Sequence, residues 1–293
     1  MNAKIITIVG ALILSAGIFG STAFAKDVRS YPMGPASEAT SLIGQQVTSQ
    51  AGENLGKISD FIIDEANDRV SLAVLSAVPG FGSDQVSVPY EGLQRSGDKT
   101  FSIHFYGVAP AADSGQDPVL HALKQYPADS PLYTIPDPVA PNWVAEVYRT
   151  YGYLPYWVQS GEKAPSASDF TKATQLMGTT VAATEGKVSA TIDDMTIDSS
   201  GRLDLLILSY VPNRGAHKVA VPFDALKKNS DGSLVLNVAG KRLAMAPVFY
   251  KSHINRPGYD KRVDRFFGLS PRWTAKQQAQ NEPDRWGGEA QEF

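Results

Sequence analysis

The sequence predicts a mainly β chain in which two small antiparallel β-barrels follow one another, each trailed by short helical and irregular segments. Three observations point there. An eight-residue phrase is written twice, "VSVPYEGL" at Val86–Leu93 and "VAVPFDAL" at Val219–Leu226. The strand ahead of each phrase alternates strictly, with Val70, Leu72 and Val74 on one face in the first and Leu203, Leu205 and Ile207 in the second. Before each of those strands lies a tight-turn pair, Asn67-Asp68 or Ser200-Gly201, whose residue types tolerate the positive φ of a hairpin.

The repeat is long. "LIGQQVTSQAGENLGKISDFIID" from Leu42 aligns without a break on "LMGTTVAATEGKVSATIDDMTID" from Leu176, matching Gly44 with Gly178, Val47 with Val181, Ile58 with Ile192, Asp60 with Asp194 and Asp64 with Asp198. One residue is lost in the following turn, after which "RVSLAVLSAVP" from Arg69 meets "RLDLLILSYVP" from Arg202. Such unbroken register reads as duplication. "TFSIHF" and "SLVLNV" add a strand after the "SGDK" and "NSDG" turns, and in "VxVP" the proline ends a strand ahead of a helical turn. Each copy is then five or six strands in about 65 residues, the size of a small barrel or partly closed sheet.

The ordered set Leu-x-Gly, a glycine-marked first hairpin, "ID" closing the second strand, and "VP-x-x-G" followed by "V-x-VP-[YF]-[ED]-x-L" resembles the PRC-barrel domain, twice over. That resemblance implies a small β-barrel that docks onto macromolecular partners and brings no catalytic residues. It divides the chain into a barrel at 37–106, a proline-rich connection with an aromatic tail at 107–167, a second barrel at 168–249, and a basic and aromatic tail with a polar end at 250–293.

The tails repeat as well. "VYRTYGYLPYW" at Val147–Trp157 and "VDRFFGLSPRW" at Val263–Trp273 share V-x-R-x-[YF]-G-x-x-P-x-W. Arg149, Tyr151 and Trp157, with Arg265, Phe267 and Trp273, are therefore the candidate interaction or clasp residues. Arginine and large aromatic rings dominate interface hot spots because they bury much area at little entropic cost. The same residue types also plug a barrel end or cover a sheet edge, and packing on the protein's own barrels is preferred here over partner binding.

The first 25 residues stand apart. Lys4, the apolar run from Ile5 to Phe19 and the small residues of "AFA" at Ala23–Ala25 compose an export signal cleaved before Lys26. The alternative, an uncleaved N-terminal membrane anchor, falls short of the roughly 20 apolar residues a bilayer crossing needs. An exported chain without a single cysteine rests on core packing alone and suits a periplasm.

At 293 residues, 43% hydrophobic and 19% charged, the chain is globular, and a net charge of −3 offers no whole-chain field for nucleic acid. Residues 251–276 carry seven basic side chains against two acidic ones, a local patch for which membrane-surface contact ranks below a solvated face. No catalytic, cofactor or metal site is expected. His104, His121, His217 and His253 are scattered, and the pairs Asp60/Asp64 and Asp194/Asp198, four apart on a strand and so on one face, supply far fewer than the roughly six to eight oxygens calcium takes. Nucleophile elbow, Walker loop and dinucleotide fingerprint are all missing from the sequence. The expected function is a non-catalytic periplasmic interaction or scaffold protein, its two barrels paired as an intramolecular pseudo-dimer and its partner a protein or assembly of the cell envelope. The alternative is a small-ligand or metal-binding envelope protein that uses the crevice between the barrels.

Overall fold

A computed structural model describes residues 36–82, 85–106, 119, 143–185, 188–210 and 217–269. The expected export signal, most of the proline-rich connection and Trp273 lie outside the described residues.

In chain order the first unit holds β1 (Ser37–Glu38), α1 (Ala39–Leu42), β2 (Gln46–Ser49), β3 (Asn54–Asp64), β4 (Arg69–Ser76), β5 (Val86–Pro89), β6 (Leu93–Gly97) and β7 (Thr100–Ile103), followed by helices α2 (Trp143–Thr150) and α3 (Tyr156–Ser160). The second holds β8 (Phe170–Lys172), α4 (Ala173–Leu176), β9 (Thr180–Glu185), β10 (Ser189–Ile197), β11 (Leu203–Tyr210), β12 (His217–Pro222), β13 (Leu226–Lys228) and β14 (Leu234–Ala239), then α5 (Gly240–Ala244) and α6 (Tyr259–Phe267). The strand orders are β5-β4-β3-β2-β7-β6 and β12-β11-β10-β9-β14-β13, the same order at corresponding positions.

The chain is thus mainly β, as its alternation predicts, but the two barrels expected to be closed and antiparallel are open, mixed sheets. β2 runs parallel to β7 and β9 parallel to β14, while the remaining strand pairs of both sheets are antiparallel. The reason is topological. β6 and β7 form a hairpin, and the turn of 3-10 helix at Tyr90–Gly92 that precedes it carries the chain from the far edge back to β2, so β7 arrives in β2's own direction.

Turn chemistry places the rest. Asp68 has φ 52° and Gly201 φ 82°, the left-handed conformation that both hairpins require. At Gly201 space matters too, since a Cβ there would lie 2.7 Å from Cδ1 of the Tyr90 ring. The β3–β4 pairing slips between Ile58 and Asp60 and again between Ile62 and Ile63, which interrupts the alternation. Asp60 and Asp64 go to different partners, Thr174 and Tyr156, and do not converge on a shared ligand. Among the described residues no group of three or more histidines and carboxylates is arranged to hold a metal ion, and no helix is long and apolar enough to cross a membrane.

Leu72, Val74, Leu205 and Ile207 are all buried, so the alternating face of each central strand is core. The opposite face of β4 is covered as well: Ser71, Ala73 and Leu75 are fully buried. A strand closed over on both faces tolerates little loss of volume, and Leu205→Ala should lower unfolding free energy by about 2 to 5 kcal/mol, read from the urea midpoint at unchanged m-value.

Candidate functional site

Two features stand out, a reciprocal seam between the units and the docking of the tail helices. At the seam each unit lends its first strand to the other. β1 pairs with β10 in the register Glu38 opposite Thr196, and β8 pairs with β3 with Lys172 opposite Ile62. Beyond each borrowed strand a threonine closes on a buried aspartate across the seam. Thr40 donates its backbone N–H to Asp194 Oδ1 at 3.2 Å and its hydroxyl to Oδ2. Thr174 donates its N–H to Asp60 Oδ1 at 3.1 Å and its hydroxyl to Oδ2. Each aspartate also accepts the next backbone N–H of its own strand, Phe61 or Met195, at 2.8 Å.

A second pair of crossed bonds sits at the hairpins, with Val70 N–H to the Gly201 carbonyl at 2.8 Å and Leu203 N–H to the Asp68 carbonyl at 2.9 Å. Arg69 adds a side-chain bridge, donating to the Ser200 carbonyl at 2.8 Å. Sequence reasoning noticed Asp60 and Asp194 only as members of the unpromising cation pairs Asp60/Asp64 and Asp194/Asp198, and missed Thr40 and Thr174. The signal was present in the repeat, because both threonines fall at the same distance ahead of the matched Leu-x-Gly.

The tail motif resolves into a capped helix. α2 packs against β5 and α6 against β12. Val147 and Tyr151, and likewise Val263 and Phe267, are four apart and share the buried face of their helix. Gly152 (φ 77°) and Gly268 (φ 70°) take the left-handed conformation just past the last helical turn. Around them Tyr153 N–H reaches the Tyr148 carbonyl at 2.8 Å and Leu269 N–H the Asp264 carbonyl at 3.0 Å, a glycine-based stop. Of the six candidate clasp residues, then, Tyr151 and Phe267 are buried in their own units, Arg149 and Arg265 are exposed, and Trp157 is half-buried with its ring centroid 6.0 Å from that of Tyr148 and 5.0 Å from that of Tyr156. Trp273 lies outside the described residues.

Beneath α2 and α3 a polar cluster closes on itself. Tyr148 donates to the Ser71 carbonyl at 3.0 Å, Tyr156 donates to Asp64, and the Arg69 guanidinium lies 4.6 Å over the Tyr156 ring and 3.7 Å from Glu91. Burial pushes the Asp64 carboxyl above its ordinary value against the hydrogen bonds from Tyr156 and Asn67, and pushes Glu91 up against the pull of Arg69. Desolvation also holds both tyrosines neutral, well above the usual phenol range. Buried, neutral phenols bonded to backbone and carboxylate fix a helix in place.

Residues 35–107 match the family model of the PRC-barrel domain. The matched stretch begins just ahead of β1 and so includes the strand lent across the seam. No curated protein matches the chain.

Two outcomes follow for the seam and the cluster. Thr40→Val and Thr174→Val should each cost about 1.5 to 3 kcal/mol, as expected for a hydrogen bond to a charged acceptor, and the two losses should be alike when measured by denaturant unfolding. Tyr156→Phe removes a donor that favours ionised Asp64. Its cost should be about 1.5 to 3 kcal/mol where Asp64 is ionised, as for a lost bond to a charged acceptor, and should shrink as pH falls, because protonation relieves the variant of an under-bonded carboxylate.

Proposed function

We propose that this chain is a non-catalytic interaction or scaffold protein of the bacterial periplasm, exported by its N-terminal segment. In this reading it is built from two PRC-barrel-like copies that arose by duplication and pair as an intramolecular pseudo-dimer. The reciprocity of Thr40 on Asp194 and Thr174 on Asp60 supports the pairing, since a two-fold dimer makes every contact twice with the roles exchanged.

One observation carries the interaction role. The large apolar side chains exposed among the described residues fall into two short sets beside the tails: Tyr106, Leu154 and Val158 in the first unit, Met245, Val248 and Tyr250 in the second. Met245 is 70% exposed and Val158 59%. Apolar groups gathered near one another on a surface mark a place where a partner removes them from water. The polar clusters, by contrast, are spent on internal bonds. The partner is a protein of the cell envelope.

Crosslinking in intact cells tests this. Wild-type protein should capture a reproducible partner. The pairs Leu154→Asp with Val158→Asp and Met245→Asp with Tyr250→Asp should each leave the unfolding midpoint within about 0.5 kcal/mol of wild type, as surface changes do, while at least one pair abolishes capture. Undiminished capture by both variants would remove the apolar sets from the interface.

A further inference from the structure

Corresponding positions of the two units differ where the tail helix meets the sheet. In the first unit Tyr148 of α2 bonds to Ser71 of β4. In the second, the residue matching Ser71 is Asp204 of β11, the residue matching Tyr148 is Asp264 of α6, and the residue matching Glu91 is Asp224 in the turn after β12. Where the first unit has a hydroxyl and a phenol, the second therefore has two carboxyl groups, and Asp264 acts on Asp204. Asp264 is buried on the inward side of α6 with Tyr259, Val263 and Phe267, only 8% exposed. Asp204 has its Oδ1 buried with no hydrogen-bond partner.

We propose that α6 is a pH-operated latch: it stays docked on β12 while the carboxyl groups of Asp204 and Asp264 hold protons, and their ionisation releases it.

The charged surroundings support this. Asp204 feels Asp198, Asp260 and Asp264, with Arg202 as the opposing cation; Asp264 feels Asp224 and Asp260. Arg202 is shared, since Glu162 also acts on it and Arg69 repels it. The Arg242 guanidinium sits at the C-terminal end of α6, beside Gly268. Arg262 lies 5.9 Å from the Tyr259 ring and His253 5.5 Å from it, at the helix's start. β12 carries Lys218, paired with Asp193, and His217, whose side chain lies outside the described residues. Burial first, and then the neighbouring carboxylates, push Asp204 up to about 8 and Asp264 up to about 7.

The sign follows. A carboxyl whose docked value stands above its free value, about 3.9, favours docking most below the free value, and that preference is lost as pH climbs toward the docked one. The latch is therefore tightest in acid, loosens progressively as pH climbs from about 4, and is loosest above about pH 8.

Hydrogen exchange on the full chain, corrected for the intrinsic pH dependence of exchange, reads this. Protection of the α6 amides should fall about tenfold per pH unit for each proton released from pH 5 to 7 and level off above about 8, while the β11 amides keep theirs. Asp204→Asn with Asp264→Asn should flatten the α6 profile, and Asp204→Ser, which restores the first unit's residue, should reduce its slope. Constant α6 protection from pH 5 to 9 would overturn the latch. So would loss in step with β11, which reports global unfolding, or a fall that survives both carboxyl variants or vanishes in His253→Gln.

Discussion

Everything in this fold depends on two buried aspartates, each answered by a threonine from the other unit. Asp60 and Asp194 are 5% exposed. A carboxylate that deep is costly unless its oxygens are bonded, and each receives an N–H from its own strand and an N–H and a hydroxyl from the far arm. The borrowed strands are too short to hold on ladder bonds alone, so the Thr–Asp closures act as their anchors. Neither unit completes its own sheet. The contacts also span 114 residues in one direction and 154 in the other, and such non-local closure must follow formation of both sheets.

Legibility in the sequence tracks how local each determinant is. Val70, Leu72 and Val74, with their counterparts Leu203, Leu205 and Ile207, announce half-buried strands because side-chain period depends only on near neighbours. Asp68 and Gly201 announce positive φ for the same reason. What failed was long-range. Nothing in "TFSIHF" says that β7 will lie parallel to β2, and two-residue arms such as Ser37–Glu38 carry no pattern that could send them to the other sheet. What separates Asp60 from Asp64 is the choice of partner, Thr174 from the other unit for one and Tyr156 for the other, which alternation cannot foresee. The tail motif showed its repeated letters and hid its purpose. Its conserved spacing encodes a buried Val/Tyr or Val/Phe stripe and a glycine stop, whereas its arginines face outward.

The same distinction bears on function. The side chains that look most chemical, Asp64, Arg69, Glu91, Tyr148 and Tyr156, bond to one another under α2 and α3, and burial keeps both phenols protonated. A cluster organised in this way supplies rigidity. The proposed interaction role rests instead on the surface, where Tyr106, Leu154, Val158, Met245, Val248 and Tyr250 expose apolar area. On that proposal, a partner engaging both sets would gain from effective concentration without any stronger single contact.

Two units of the same strand order in one chain can also have what a homodimer cannot, a difference between equivalent sites. In a symmetric dimer any substitution appears on both sides of the axis. Here Ser71 remains a hydroxyl while its counterpart is Asp204, and Tyr148 remains a phenol while its counterpart is Asp264. The first unit keeps a neutral hydrogen bond that is indifferent to pH across the range where carboxylates titrate, and its helix stays fixed. The second holds carboxyls pushed toward neutrality by burial first and by neighbouring carboxylates second. Had both helices carried aspartate, the seam itself would have been exposed to the same repulsion from both sides, since Asp198 and Arg202 adjoin the crossed hairpin bonds at Gly201 and Leu203. Restricting the change to one copy confines the sensitivity to the C-terminal helix and leaves the reciprocal anchors at Asp60 and Asp194 to hold the pair together.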